Sequence, residues 1–180
     1  RLASLTPMAD TMAAQFAAEP GNYLAFFSSF DYLQQALRRL QALHPALPVW
    51  AQARGMSEAD RQAFVDRFTP TSQGVGFAVL GGAFGEGIDL PGARLIGAFI
   101  ATLGLPQVNP VNERMRERLQ ALLGDGWRYT YLYPGLQKVA QAAGRVIRTP
   151  DDQGLIVLMD DRFAKAEVLA LLPGWWPAAT

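Results

Sequence analysis

The chain has 180 residues, half of them hydrophobic and 18% charged, with zero net charge at pH 7. That suits one sizeable core rather than two, and it excludes attraction to nucleic acid through bulk charge, so any such binding must use a local patch. With no cysteine and one histidine, His44, these residues cannot form disulfides, thiolate metal sites, an iron–sulfur centre or a multi-histidine metal site.

Taken in order, Thr6 to Glu19 has helical spacing and is stopped by Pro20-Gly21. Asn22 to Ser29 is a nearly continuous apolar run, as expected of a strand buried on both faces. Asp31 to Leu43 follows as a helix, with Leu33, Leu37 and Leu40 on one side and Ser29 or Asp31 as its cap. His44, before Pro45, is expected on the surface at that helix's exit. Leu47 to Gln52 reads as a second strand. Ser57 to Phe68 reads as a helix opened by a Ser57…Asp60 capping signal, and Val75 to Leu80 and Ala93 to Thr102 as the third and fourth strands. Asn109-Pro110 starts a helix that ends at Gly124 and carries a solvated, salt-bridged face. Tyr133 or Pro134 opens the next helix. Leu155 to Met159 is the last strand and Asp161 to Leu172 the last helix. Trp175 and Trp176 are expected to anchor the C-terminus, with docking of a protein partner as their other reading. No apolar run reaches the ~18 residues of a membrane span. The start at Arg1, inside a helical pattern and without a signal-peptide layout, reads as a piece of a longer cytoplasmic protein. Buried strands alternating with helices predict an α/β fold, a three-layer sandwich around a mostly parallel sheet of five or more strands.

Two stretches carry chemistry. Gln137 to Arg148, read as a helix, puts Lys138, Gln141, Arg145 and Arg148 on one cationic stripe. Val139, Ala143, Val146 and Ile147 fall on the opposite face. Gly144 is placed mid-helix, where it costs about 1 kcal/mol relative to Ala, which suggests a close backbone approach. Arginine's planar fork suits phosphate; the plainer reading is a solvated amphipathic face. The second stretch is the loop after the third strand, Gly81 to Gly92, with five glycines and the carboxylates Glu86 and Asp89. Ligands bind beyond the carboxyl ends of parallel strands, and glycines let backbone N–H groups approach a phosphate. A flexible turn is the alternative. The chain has no G-x-G-x-x-G after a strand, no G-x-x-x-x-G-K-[ST] and no G-x-S-x-G.

These residues resemble a family. Gly82 to Pro91 (GAFGEGIDLP) and Gln141 to Arg148 (QAAGRVIR) look like motifs V and VI of superfamily 2 helicases of the DinG/YoaA type, related to XPD. Phe26-Phe27-Ser28-Ser29-Phe30 is similar to motif IV. Gly104-Leu105-Pro106 and Asp160-Asp161-Arg162-Phe163 match further landmarks in the right order. The resemblance implies a RecA-like second motor domain over residues 22–172, without its own P-loop. Residues 1–21 would be a connecting helix and 173–180 a tail. It implies arginine fingers at Arg145 and Arg148, and nucleotide contacts from Gln141, Gly144, Glu86, Gly87 and Asp89. Single-stranded DNA would be met at Ser28, Ser29, Gly82 and Gly85. ATP and Mg²⁺ would be held mainly by a first motor domain outside these residues, where the family also places an iron–sulfur cluster. The whole would be an ATP-dependent 5′-to-3′ DNA helicase of repair or replication, and this stretch alone is expected to be inactive. A non-catalytic module of the same fold, holding a nucleotide or a partner, is the alternative.

Overall fold

The computed structural model describes residues 2–82, 84, 88–147, 152–174 and 176. Its helices and strands, in chain order, are α1 (Leu5–Ala18), β1 (Asn22–Phe27), α2 (Phe30–Leu43), β2 (Val49–Ala51), α3 (Glu58–Asp66), β3 (Gly74–Val79), β4 (Gly97–Ile100), α4 (Pro110–Leu123), α5 (Tyr133–Ala143), β5 (Leu155–Leu158) and α6 (Ala166–Leu169). The strands form one sheet in the order β2-β3-β1-β4-β5 with every pairing parallel. This is the expected α/β class.

β1 is buried at all six positions because it is the central strand and both its faces are covered. Tyr23, Ala25 and Phe27 point to one side, where Met8, Ala9 and Met12 of α1 and Leu33, Ala36 and Leu40 of α2 close the core. Leu24 and Phe26 point to the other, into a core completed by Phe64 of α3 and Leu136, Val139 and Ala142 of α5. Phe27 stacks on Phe77 of β3 at 5.1 Å; burying each such ring contributes about 1.5–3 kcal/mol. α1 packs into the same core as β1 and α2.

Local signals set the helix ends. Ser29, not Asp31, caps α2, accepting from the Tyr32 N–H at 3.2 Å. Ser57 and Asp60 form a full capping box on α3. His44 caps the end of α2 and meets Asp10 at 2.8 Å. Asn109 caps α4, which stops at Gly124. α4 has no buried residue. It is tied down by Glu113, which accepts from the Tyr131 hydroxyl at 2.6 Å and pairs with Arg116 at 2.9 Å. The Tyr131 bond first, and then Arg116, hold the Glu113 carboxyl below the usual carboxylate range. A π-helical segment, Arg128–Leu132, runs straight into α5.

Three expected elements differ. The fourth strand is only Gly97–Ile100, because Gly92–Arg94 form a 3-10 turn whose Arg94 Nε donates to the Phe68 carbonyl at 2.7 Å. The final helix is not continuous from Asp161 to Leu172. Asp161–Ala164 is a 3-10 turn, and extended backbone at Lys165 separates it from the four residues of α6. α5 stops at Ala143 and does not reach Arg148. Gly144 is its C-cap, and the N–H groups of Arg145 and Val146 turn back to Ala142 and Ala143 at 3.1 and 3.0 Å. That tighter turn rotates Val146 into the core. Trp176 packs against the core on the α5 side; Trp175 lies outside the described residues. No described helix is long and apolar enough to cross a membrane.

Candidate nucleotide and nucleic-acid site at the carboxyl edge of the sheet

Because all strands are parallel, their exits share one edge. The chain moves outward from β1 to β2, returns through β3, then crosses β1 to reach β4. The crossing connection, residues 80–96, therefore lies at the point where strand order reverses, the usual ligand crevice of such sheets.

Gly81 opens that connection with φ +73°, which turns the chain sharply off β3 without the penalty a Cβ would bring. Gly82 donates its N–H to Val79 at 3.2 Å, so this donor is used inside the turn. The rest is not a free arc. Phe84 is buried over Phe64 with ring centroids 4.3 Å apart, and Ile88 and Leu90 are buried in the same core. Alternation between those two anchors leaves Asp89 exposed. Gly85, Glu86 and Gly87 lie outside the described residues.

The end of α5 meets this loop. Arg145, partly buried, donates from a terminal guanidinium nitrogen to the Ile88 carbonyl at 3.3 Å. Gln141 is exposed one turn earlier. The structure thus brings Gln141, Arg145 and Asp89 to one edge, while Arg148 lies outside the described residues. Gly144 does not serve the expected close approach. Among the described residues, a Cβ there would meet only carbonyls of its own helix, at 3.3 and 3.4 Å. The close approach occurs at Gly135, which the sequence pattern did not single out. A Cβ on Gly135 would stand 2.6 Å from the Leu103 carbonyl oxygen and 3.1 Å from Leu105 N. Its partner in the crossing is Gly104, at φ +68°. Gln52 was also missed. Its Oε1 accepts from Val79 N at 2.9 Å and ties the exit of β2 to that of β3. A polar residue ending an otherwise apolar strand was its only signal.

On the other side of β1, Ser28 is exposed and Ser29 begins α2. Register places them beside Leu80, whose N–H bonds to Phe27 O at 2.9 Å. Ser29's oxygen is engaged as the cap, which leaves its O–H hydrogen as a donor. Beyond β5, Asp160 takes two bonds from the Arg162 side chain, at 2.8 and 2.6 Å, and one from Arg162 N at 3.0 Å. Burial works to raise the Asp160 carboxyl; the Arg162 bonds outweigh it and hold the group below its ordinary value. A depressed folded-state pKa contributes stability that is present above the unfolded value of ~3.9 and lost as pH falls through the folded one. Asp160→Asn should therefore destabilise the domain by about 1–2 kcal/mol at pH 7, a figure discounted for the half-exposed Arg162. The gap from wild type should close in acid. Denaturant titrations of both proteins at pH 7 and below pH 3.5 check this; an equal gap at both pH values would exclude the ion pair as its source. Among the described residues, no group of three or more His, Asp or Glu side chains is placed to hold a metal ion.

The chain is similar to several known proteins. A probable ATP-dependent helicase of Methanocaldococcus jannaschii is 29% identical over 161 residues, covering 80% of this chain and 24% of that protein. The ATP-dependent DNA helicase chl-1 of Caenorhabditis elegans is 29% identical over 182 residues, covering 96% of this chain and 22% of the relative. The chain thus spans under a quarter of the length of both. Among solved structures, an apo XPD superposes with a TM-score of 0.71 at 20% identity, over 91% of this chain and 33% of that one. That likeness shows the fold, a RecA-like α/β domain. The helicase C-terminal domain family matches residues 12–179, so the chain belongs to that family.

Proposed function

We propose that this domain is the second half of an ATP-driven motor that moves on single-stranded DNA, in repair or replication, with 5′-to-3′ polarity. ATP and Mg²⁺ sit on a first, P-loop-bearing domain. Arg145 and Arg148 reach across the cleft to the transferring phosphoryl group, with Gln141, Gly144, Glu86, Gly87 and Asp89 around the nucleotide. Ser28, Ser29, Gly82 and Gly85 line the path of the strand. The observation that carries the reading is the bond from Arg145 to the Ile88 carbonyl. It couples the turn after α5 that would supply the fingers to the loop that follows β3, so a change at the nucleotide is felt where the strand would lie. The relatives named as ATP-dependent helicases support the same chemistry.

On this reading the isolated domain hydrolyses no ATP, because phosphoryl transfer of this class needs a P-loop lysine and Mg²⁺ carboxylates, and the chain has no G-x-x-x-x-G-K-[ST]. A phosphate-release assay with purified domain and single-stranded DNA should read as the blank. DNA-stimulated release by the domain alone would overturn the division of labour. The decisive variants, at Arg145 and Arg148, are argued in the Discussion.

A further inference from the structure

We propose that Lys138 is a backbone-phosphate contact for the single strand, resting on the reading above. The chain has two lysines, Lys138 and Lys165. Lys138 lies on α5 two turns before Arg145, on the same side as Gln141. Its stem runs over two glycines at the carboxyl edge. A Cβ on Gly81 would stand 3.1, 3.3 and 3.5 Å from its Cδ, Cε and Nζ, and a Cβ on Gly104 would stand 3.5 Å from its Cβ. Both glycines have positive φ, +73° and +68°. The trough that holds the stem therefore exists because neither strand exit carries a side chain. It delivers the ammonium to Gly81, where β3 leaves the sheet next to Ser28 and Ser29.

Among the described residues no carboxylate lies within salt-bridge distance of that ammonium. The nearby acid at the start of α2, Asp31, is paired with Arg54 at 3.0 Å. A cation held by its stem, uncompensated by those neighbours and at the same sheet edge as the start of α2, matches a phosphodiester. Lysine acts there as a point charge rather than a fork, which suits a contact that must release and re-form as the strand moves.

The test uses the full-length protein with its P-loop domain. Binding of a fluorescent oligo-dT is measured by anisotropy, without nucleotide, from 0.05 to 0.5 M salt, and DNA-stimulated ATPase is followed in parallel. One phosphate contact to a single strand adds about 0.7 to the slope of log K against log salt, or roughly fivefold in affinity at 0.1 M relative to 1 M. Lys138→Ala should lose about that much affinity and flatten the slope by about 0.7. Lys138→Arg should restore both, and the KM for ATP at saturating DNA should not move. A variant that keeps wild-type affinity and slope overturns the assignment. So does a raised KM for ATP with DNA binding intact, which would give the lysine to the nucleotide's phosphates instead. If wild type itself neither binds oligo-dT nor shows stimulated ATPase, the motor reading falls and this inference falls with it. If wild type does both and Lys138→Ala matches it, only the lysine assignment fails.

Discussion

Arg145→Ala and Arg148→Ala, each in the full-length protein, should lower DNA-stimulated ATP turnover by roughly 10³–10⁵, the range for an arginine that meets charge developing on a transferring phosphoryl group. At ~1.4 kcal/mol per decade this is on the order of 4–7 kcal/mol of barrier. The described bond of Arg145 accounts for far less. Its bond to the Ile88 carbonyl is 3.3 Å and partly buried, and losing such a bond costs about 1 kcal/mol of stability. Turnover and unfolding therefore separate the two roles cleanly. A finger gives a folded, nearly dead enzyme; a positioning arginine gives a slightly less stable enzyme with most of its rate. Arg145→Lys should fail almost as badly as the alanine variant, because an ammonium cannot reproduce the guanidinium fork. If both alanine variants retain near-normal ATPase, the finger assignment is wrong and the non-catalytic reading of the domain gains.

Gly135→Ala should destabilise the domain by about 1–3 kcal/mol, although two effects of opposite sign compete. Alanine inside a helix is favoured over glycine by about 1 kcal/mol, and Gly135 is in the first turn of α5. Against this, the added Cβ would sit 2.6 Å from Leu103 O and 3.1 Å from Leu105 N. Both obstacles are backbone, so no rotamer change relieves the overlap and α5 must lift off the exit of β4. Leu136 and Val139, buried against the sheet, would lift with it. The same displacement would move Lys138, Gln141 and Arg145 relative to the loop after β3, so ATPase should fall further than the loss of folded protein explains. Chemical denaturation and turnover of the purified variant measure both. A variant as stable as wild type would mean that the crossing at Gly104 and Gly135 has slack.

The fold was largely legible because its signals are local or periodic. β1 reads as a strand buried on both faces from a nearly continuous apolar run. The caps at Ser57 and Asn109 are read from residue type and spacing alone, while for α2 residue type left Ser29 or Asp31. Boundaries failed where tertiary contacts intervene. The stripe through Lys138, Gln141 and Arg145 has perfect helical spacing, yet α5 stops at Ala143 because the next N–H groups bond three residues back and carry Val146 into the core. Asp161 to Leu172 has helical composition, but Phe163 and Val168 are both buried from separate short turns, with extended backbone at Lys165 between them. At the site, the sequence already pointed to Gln141, Arg145 and Asp89, since polar residues at set spacing after a strand or on a helix face are visible without a structure.

By itself the amino-acid sequence determined the class of fold, the burial of β1 on both faces and the residue types available for phosphate, because hydrophobic period and capping chemistry depend only on near neighbours along the chain. Only the tertiary structure decided which glycine matters and where the cations go. Among the described residues, a Cβ on Gly144, beside the arginines, would meet nothing but its own helix, whereas Gly135 and Gly104 face each other across a 3.0 Å gap from the Cβ position of Gly104 to the Gly135 carbonyl oxygen. Residues 31 positions apart in the chain were brought together there by the parallel pairing of β4 beside β1 and the packing of α5 on the sheet. No pattern in the sequence near either glycine records that contact, since it is made by backbone atoms whose meeting depends on the whole sheet being assembled.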